Sequence, residues 1–236
     1  MFELPLFPLS SVLFPGMPIN LHVFEERYKL MMNECIQKRE PFGVVLIQDG
    51  REAGDPTVTP HNIGCTAQIT QVQPLSQGRM QITAIGRDRF RIHTLNYEKP
   101  YLSGLVENFP LIEEDPLEIR RYGRYLRRLL DRYLRILEEA GQIKYDDNQL
   151  PGDPMTLAYL ASVLLQQITE EQKQELLEVE QATQMLDDLS QIYRREVVVP
   201  PRYLAKNVLL ESLTLLRIRK TLQHLFVPAF VGPRWN

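Results

Sequence analysis

"LPLFPLSSVLFPGMPINLHVFEERY", residues 4–28, strings apolar stretches between prolines and then turns abruptly charged. Proline fixes φ and brings no N–H to a ladder, so strands built from "FELPLFPLSSVLF" and "MPINLHVF" belong at edges or bends. Pro15 and Gly16 turn the chain between them. "INLHVF" reads as a strand, and Glu25, Glu26 and Arg27 open a helix, where acidic groups favour the positive end of the dipole. Tyr28, Met31, Met32 and Cys35 give that helix an apolar face to lay on a sheet. Phe24 and Tyr28 read first as structure. Leu13, Phe14 and Met17 sit at the loop, where partial exposure would make an apolar rim. Such a rim, with Phe24 beside it, would hold an extended apolar segment, methionine adapting to varied partners.

The next hundred residues continue the strand pattern. "FGVVLIQ" is a continuous apolar run, as in a strand buried on both faces. "GCTAQITQVQPL", "RMQITAIG", "RFRIHTLNY" and "YLSGLVENF" alternate apolar and polar residues, with turn signals at Pro74–Gly78 and at Gly86. Many short strands around one helix, near Glu25–Lys38, predict a compact barrel or sandwich.

After Pro110 the period changes from two to three and four. Tyr122, Leu126, Leu129, Tyr133 and Leu137 mark an amphipathic helix whose other face holds Arg121, Arg124, Arg128, Arg132 and Arg135. Asp153–Pro154 reads as an N-cap and first helical residue, before a helix burying Leu157, Leu160, Ala161, Leu164 and Ile168. Thr169 and Gln172 have the spacing of a capping box. Ala182, Met185, Leu186, Leu189, Ile192 and Tyr193 form a last stripe. The expected class is α+β: a β-barrel subdomain with one helix over residues 1–110, a helical bundle over 111–196, and a C-terminal extension over 197–236 with one amphipathic helix.

Bulk properties restrict the function. A net charge of −3 gives no general attraction to nucleic acid. The N-terminus lacks the basic region and cleavage site of a signal peptide, and no run of about 18 uncharged apolar residues offers a membrane span. Cys35 and Cys65 stand far apart without a CxxC, and read as buried free thiols in a reducing cytoplasm rather than as a disulfide.

Signatures of catalysis are missing from the sequence. There is no P-loop, G-x-G-x-x-G, GxSxG or HExxH. His22, His61, His93 and His224 stand singly, so no metal site is expected. Acidic pairs such as Glu25–Glu26, Glu113–Glu114 and Asp187–Asp188 are sequence neighbours that diverge on a helix and read as solvated. No catalytic residue and no cofactor is expected. The one basic concentration, Arg121, Arg124, Arg128 and Arg132, is a candidate anion or nucleic-acid face. Interleaved Asp131 and Glu138 favour a solvated face making ion pairs instead. The apolar tail, including Leu209, Leu213, Leu216, Phe226, Phe230 and Trp235, would dock on the chain itself, with a homo-oligomer contact or a partner as the other readings.

These residues together resemble a known family. Residues 4–28 resemble the opening of the Lon N-terminal domain, the substrate-binding domain of ATP-dependent protease La. The match continues in order through "FGVVL", "IGCTAQITQV", "GRMQITAIGRDRFRI" with its G-x-x-R-F-x-I pattern, "KPYLSGLVE", "LAYLASVLL" and "EEQKQELLE", covering about residues 1 to 196. "HVFEERY" is closer to short stand-alone Lon-domain proteins and cereblon-like proteins than to full proteases. The chain also stops where a protease would continue into its ATPase and Ser-Lys peptidase domains. Gln184 departs from the family, which often has Arg there. The resemblance implies a PUA-like β-barrel beside a helical bundle.

The function it implies is a non-enzymatic module that binds unfolded or hydrophobic polypeptide segments. Apolar contacts would act with main-chain pairing along an open strand edge, with a separate ATP-dependent protease or chaperone acting alongside. The other readings are an RNA- or nucleotide-binding PUA-like protein, a fold analogy joined to the arginine face, and peptidase activity, which the sequence gives no means to perform.

Overall fold

The computed structural model describes residues 1–50, 58–140, 143, 145–146, 150–165 and 167–198. The β-rich part holds strands β1 (Phe2–Leu9), β2 (Pro18–Val23), β3 (Phe42–Asp49), β4 (Thr59–Pro60), β5 (Ile63–Pro74), β6 (Met80–Asn96) and β7 (Ser103–Asn108), with helix α1 (Glu26–Lys38) between β2 and β3. Hydrogen bonding runs β1-β7-β6-β5-β3, and β3 pairs parallel with β1, which closes a five-stranded ring. β2 lies outside on β6, and β4 on β3.

β1 is the seam of that ring. Phe2–Pro5 pairs antiparallel with β7, and Leu6–Leu9 pairs parallel with β3. Each residue is registered on one side only, so Pro5 and Pro8 withhold no N–H from a second neighbour. The prolines thus mark a change of partner, not the edge of an open sheet.

Inside the ring, Leu4, Leu6, Val45, Phe90, Ile92 and Val106 make a small core. The space is narrow. A Cβ on Gly43 would lie 2.7 Å from the Phe90 ring, and one on Gly64 2.6 Å from it. The expected turn at Gly86 is a misreading: β6 runs unbroken from Met80 to Asn96. Gly86 is there because the Phe14 main chain crosses it, donating Gly16 N–H to Gly86 O at 2.9 Å and accepting Gly86 N–H at Met17 O. The turn expected at Pro74–Gly78 is present, with Gln77 and Gly78 at positive φ.

The helical part holds α2 (Pro116–Glu139), α3 (Pro154–Leu164), α4 (Glu170–Glu178) and α5 (Ala182–Val198). Its starts are fixed locally. Asp115 and Asp153 cap α2 and α3 ahead of a proline, and Thr169 with Gln172 completes the capping box of α4. Gly123 lets α2 approach the start of α3, since a Cβ there would lie 2.7 Å from Pro154. The rings of Tyr133 and Tyr193 meet edge to face at 5.2 Å, and Tyr193 donates to Ala161 O at 2.7 Å. One apolar cluster takes side chains from both sides of Pro110, from Phe7 to Val197. The C-terminal extension lies, from residue 199 on, outside the described residues.

Candidate functional site

The alternation that builds β2 gives it one buried and one solvent face, and its pairing gives it an outer edge. Leu21 and Val23 are buried while Asn20 and His22 face solvent, and β2 is paired with β6 alone among the described residues. In an antiparallel pair, successive residues turn their main-chain groups alternately toward and away from the neighbour. The outer edge of β2 therefore carries unpaired N–H and C=O groups available to an added strand. Thr83 donates to Asn20 Oδ1 at 2.8 Å and stiffens the exposed face.

Phe24 ends this edge. It lies edge-on to His22, ring centroids 5.9 Å apart, just before the first turn of α1. Val23 and Pro74 both register with Met80, which brings Phe24 and exposed Leu75 to one end of the β2–β6–β5 arm. Lys29 Nζ donates to Gln77 O at 3.0 Å and ties α1 to the same end.

The apolar rim expected from Leu13, Phe14 and Met17 is not on the surface. Their exposures are 4%, 0% and 2%, against 52% for Phe24. The loop is covered by the helical part: the Phe14 ring lies 6.3 Å from that of Tyr159 on α3, and Val12 N–H donates to Glu170 Oε2 at 2.8 Å. Those three side chains belong to the core, and Phe24 stands apart from them. Tyr28 is also core, its ring stacked on Phe7 at 4.3 Å.

Arg121, Arg124, Arg128 and Arg132 share one exposed face of α2. Of the ion pairs expected along this face the described residues show one, made by Arg135, and none of these four is bridged to a carboxylate among them. Asp131 is taken by Arg135, at 3.1 Å. Arg128 and Arg194 flank the Tyr125 ring at 5.7 and 5.8 Å. Arg127 turns away and donates to Pro151 O at 2.7 Å.

A polar cleft of about 370 Å³ lies between barrel and α4, lined by residues including Gln48, His61, Asn62, Arg91, Phe109 and Glu178. Its polar groups meet partners: His61 Nδ1 lies 3.4 Å from Glu178, and Arg91 Nη2 lies 2.9 Å from Glu180. Beside it, Arg89 is 3% exposed and donates from Nη1 to Leu177 O and Val179 O, both at 2.6 Å, closing the C-terminal end of α4. Arg89 was missed from charge patterning, although it is the arginine of the G-x-x-R-F-x-I pattern. The cleft reads as a joint between the two parts of the fold.

The thiols are held inert. Burial, helped by Glu34 and Glu40, pushes Cys35 up to about 11, and burial raises Cys65 further. A protonated thiol is a poor nucleophile. Among the described residues no group of three or more His, Cys, Asp or Glu side chains is placed to hold a metal ion, and no helix is long and apolar enough to cross a membrane.

The family model for the ATP-dependent protease La (LON) substrate-binding domain matches residues 3–195. A Lon protease of Desulforamulus reducens is 27% identical over 225 residues, covering 94% of this chain and 26% of that protein. A Lon protease of Flavobacterium johnsoniae is 31% identical over 118 residues, covering 49% of this chain and 14% of that one. A LON peptidase N-terminal domain and RING finger protein of Schizosaccharomyces pombe is 33% identical over 100 residues, or 38% and 20% of the two chains. The chain thus spans only 14–26% of the length of these curated relatives. Among solved structures, a Lon N-terminal domain protein from Xanthomonas campestris superposes with a TM-score of 0.57 at 27% identity, over 80% of this chain and 97% of that one. The N-terminal domain of a Mycobacterium avium complex Lon protease gives 0.63 at 22% identity, over 82% and 98%, a likeness of fold.

Proposed function

The chain belongs to the ATP-dependent protease La (LON) substrate-binding domain family, and on that premise we propose that it recognises unfolded or hydrophobic polypeptide segments through the open edge of β2. The carrying observation is that edge, which no second strand pairs among the described residues along Pro18–Val23 and which ends in exposed Phe24. A segment added as a further strand gains main-chain hydrogen bonds irrespective of its sequence. Phe24 and Leu75 offer apolar contact at the end of the arm, which favours clients exposing apolar residues. A shallow edge must order a flexible ligand, so affinity is on the order of micromolar.

The module binds without cutting, a separate ATP-dependent protease or chaperone acts on what it holds, and the setting is cytoplasmic. Buried free Cys35 and Cys65 support a reducing compartment. Titration with one substrate protein, denatured and native, tests the recognition: the denatured form binds and the native form does not. An extended apolar peptide methylated at alternate main-chain nitrogens tests the edge, because it keeps its side chains while losing the donors a strand needs. Equal binding of the methylated and unmethylated peptides would remove the edge from the mechanism.

A further inference from the structure

We propose that the face of α2 carrying Arg121, Arg124, Arg128 and Arg132 docks a carboxylate-rich polypeptide segment of a partner protein, separately from the β2 edge. Arg124–Arg128 and Arg128–Arg132 are i,i+4 neighbours and Arg121–Arg124 are i,i+3, so their charges repel along one helix face. The chain has 30 acidic residues against 27 lysines and arginines, yet none of the described acids is bridged to these four. Charge left unbridged among the described residues is open to a partner of opposite sign, and the planar guanidinium fork suits carboxylate oxygens in pairs.

The face has an extent, and the extent argues for the kind of partner. At the helical rise, Arg121 to Arg132 spans roughly 16 Å. Glu113, Glu114, Asp115 and Glu118 lie toward the start of α2, and Glu138 and Glu139 at its end. A nucleic-acid backbone continuing along the helix would run onto those carboxylates, whereas about three turns of an acidic helix fit between them. Among the described residues the face offers no free ring for base stacking, because Tyr125 meets Arg128 and Arg194 and Tyr122 is half-buried. The chain's own C-terminal extension does not supply such a segment by charge. Residues 199–236 carry Arg202, Lys206, Arg217, Arg219, Lys220 and Arg234 against the single acid Glu211, the wrong sign for this face.

The experiment uses the full chain and a fluorescent alanine-based helical peptide with glutamates at three- and four-residue spacing. Its glutamine counterpart and single- and double-stranded nucleic acids of matched charge are run beside it, each at low and high salt. The acidic peptide binds, the glutamine peptide does not, and both added salt and joint Arg124→Glu and Arg128→Glu substitution weaken binding by about tenfold. The thermal midpoint of the double variant reports that it is folded; should it unfold, glutamine at both positions gives the same readout. The proposal is overturned if the acidic peptide binds no better than its neutral counterpart, if the folded variant binds it as tightly, or if nucleic acid binds more tightly than the peptide.

Discussion

Gly86 lies directly against the main chain of Phe14, so closely that a Cβ on residue 86 would collide with the Phe14 carbonyl oxygen. The contact joins the long strand β6 to the loop before β2, and so fixes where β2 and its open edge begin. Gly86→Ala must therefore push backbone against backbone, and a loss of about 2 kcal/mol or more is expected. Gly152→Ala is the control, since nothing lies within 4 Å of its added Cβ, and it should stay within about 0.5 kcal/mol. Urea unfolding of the two variants checks both figures.

Arg89 supplies the next prediction. It spans from β6 to the carbonyls that end α4, while its Nε and Nη2 find no hydrogen-bond partner among the described residues. Its burial is thus only partly compensated, and burial lowers its pKa from the usual value. Arg89→Met removes that cost but leaves Leu177 O and Val179 O without their donor, for a net loss of about 2 kcal/mol. The loss should appear as faster amide exchange in α4 ahead of the barrel strands. Arg89→Lys keeps a charge without the planar fork and should recover less than half of it.

What was legible in the sequence was what neighbours in the chain decide. Asp153, Thr169 and Gln172 announced helix starts because a cap acts within one turn, and the stripe on α5 followed from its period alone. Gly86 misled because a glycine marks a turn and a close backbone approach with the same letter. Leu13, Phe14 and Met17 misled for a different reason: their loop packs on distant helices, with Phe14 by Tyr159 and Val12 bonded to Glu170, which nothing local announces. The parallel pairing of β1 with β3 that closes the ring is likewise non-local. At the candidate site, the alternation of β2 was readable, but its free edge was not, because an edge is defined by which strand fails to arrive.

The thiols give a pH prediction with a definite sign. In the unfolded chain Cys35 ionises near 9, whereas burial holds it protonated to about 11 when folded. Between those values the unfolded state binds fewer protons, so stability falls as pH rises. The contribution is fully present below about 9 and is lost through about 11, with a slope of at most about 1.4 kcal/mol per pH unit for one thiol. Tyr101 and Tyr159, both raised to about 12, extend the fall above pH 10. Urea midpoints across this window should decline, and Cys35→Ala should lessen the slope between 9 and 11 without abolishing it, because buried Cys65 is held protonated over the same range. An unchanged slope in that variant would mean the thiol is not shielded as the structure has it.

Phe14 and Phe24 lie ten residues apart in one stretch of sequence and should respond in opposite ways to the same substitution. Phe14 is fully buried in the apolar cluster shared by strands and helices, so Phe14→Ala leaves a cavity and costs about 3–5 kcal/mol. Phe24 is mostly in water, so Phe24→Ala should change stability by no more than about 0.5 kcal/mol. If Phe24 contacts client segments at the end of the β2 edge, the same Phe24→Ala weakens binding of a denatured substrate several-fold while the thermal midpoint stays put. A stable Phe24→Ala protein that binds denatured substrate as tightly as the parent would leave the edge without this apolar contact and move the search along the arm to Leu75. Loss of binding in Phe14→Ala, by contrast, says nothing of the site until the variant is shown to be folded.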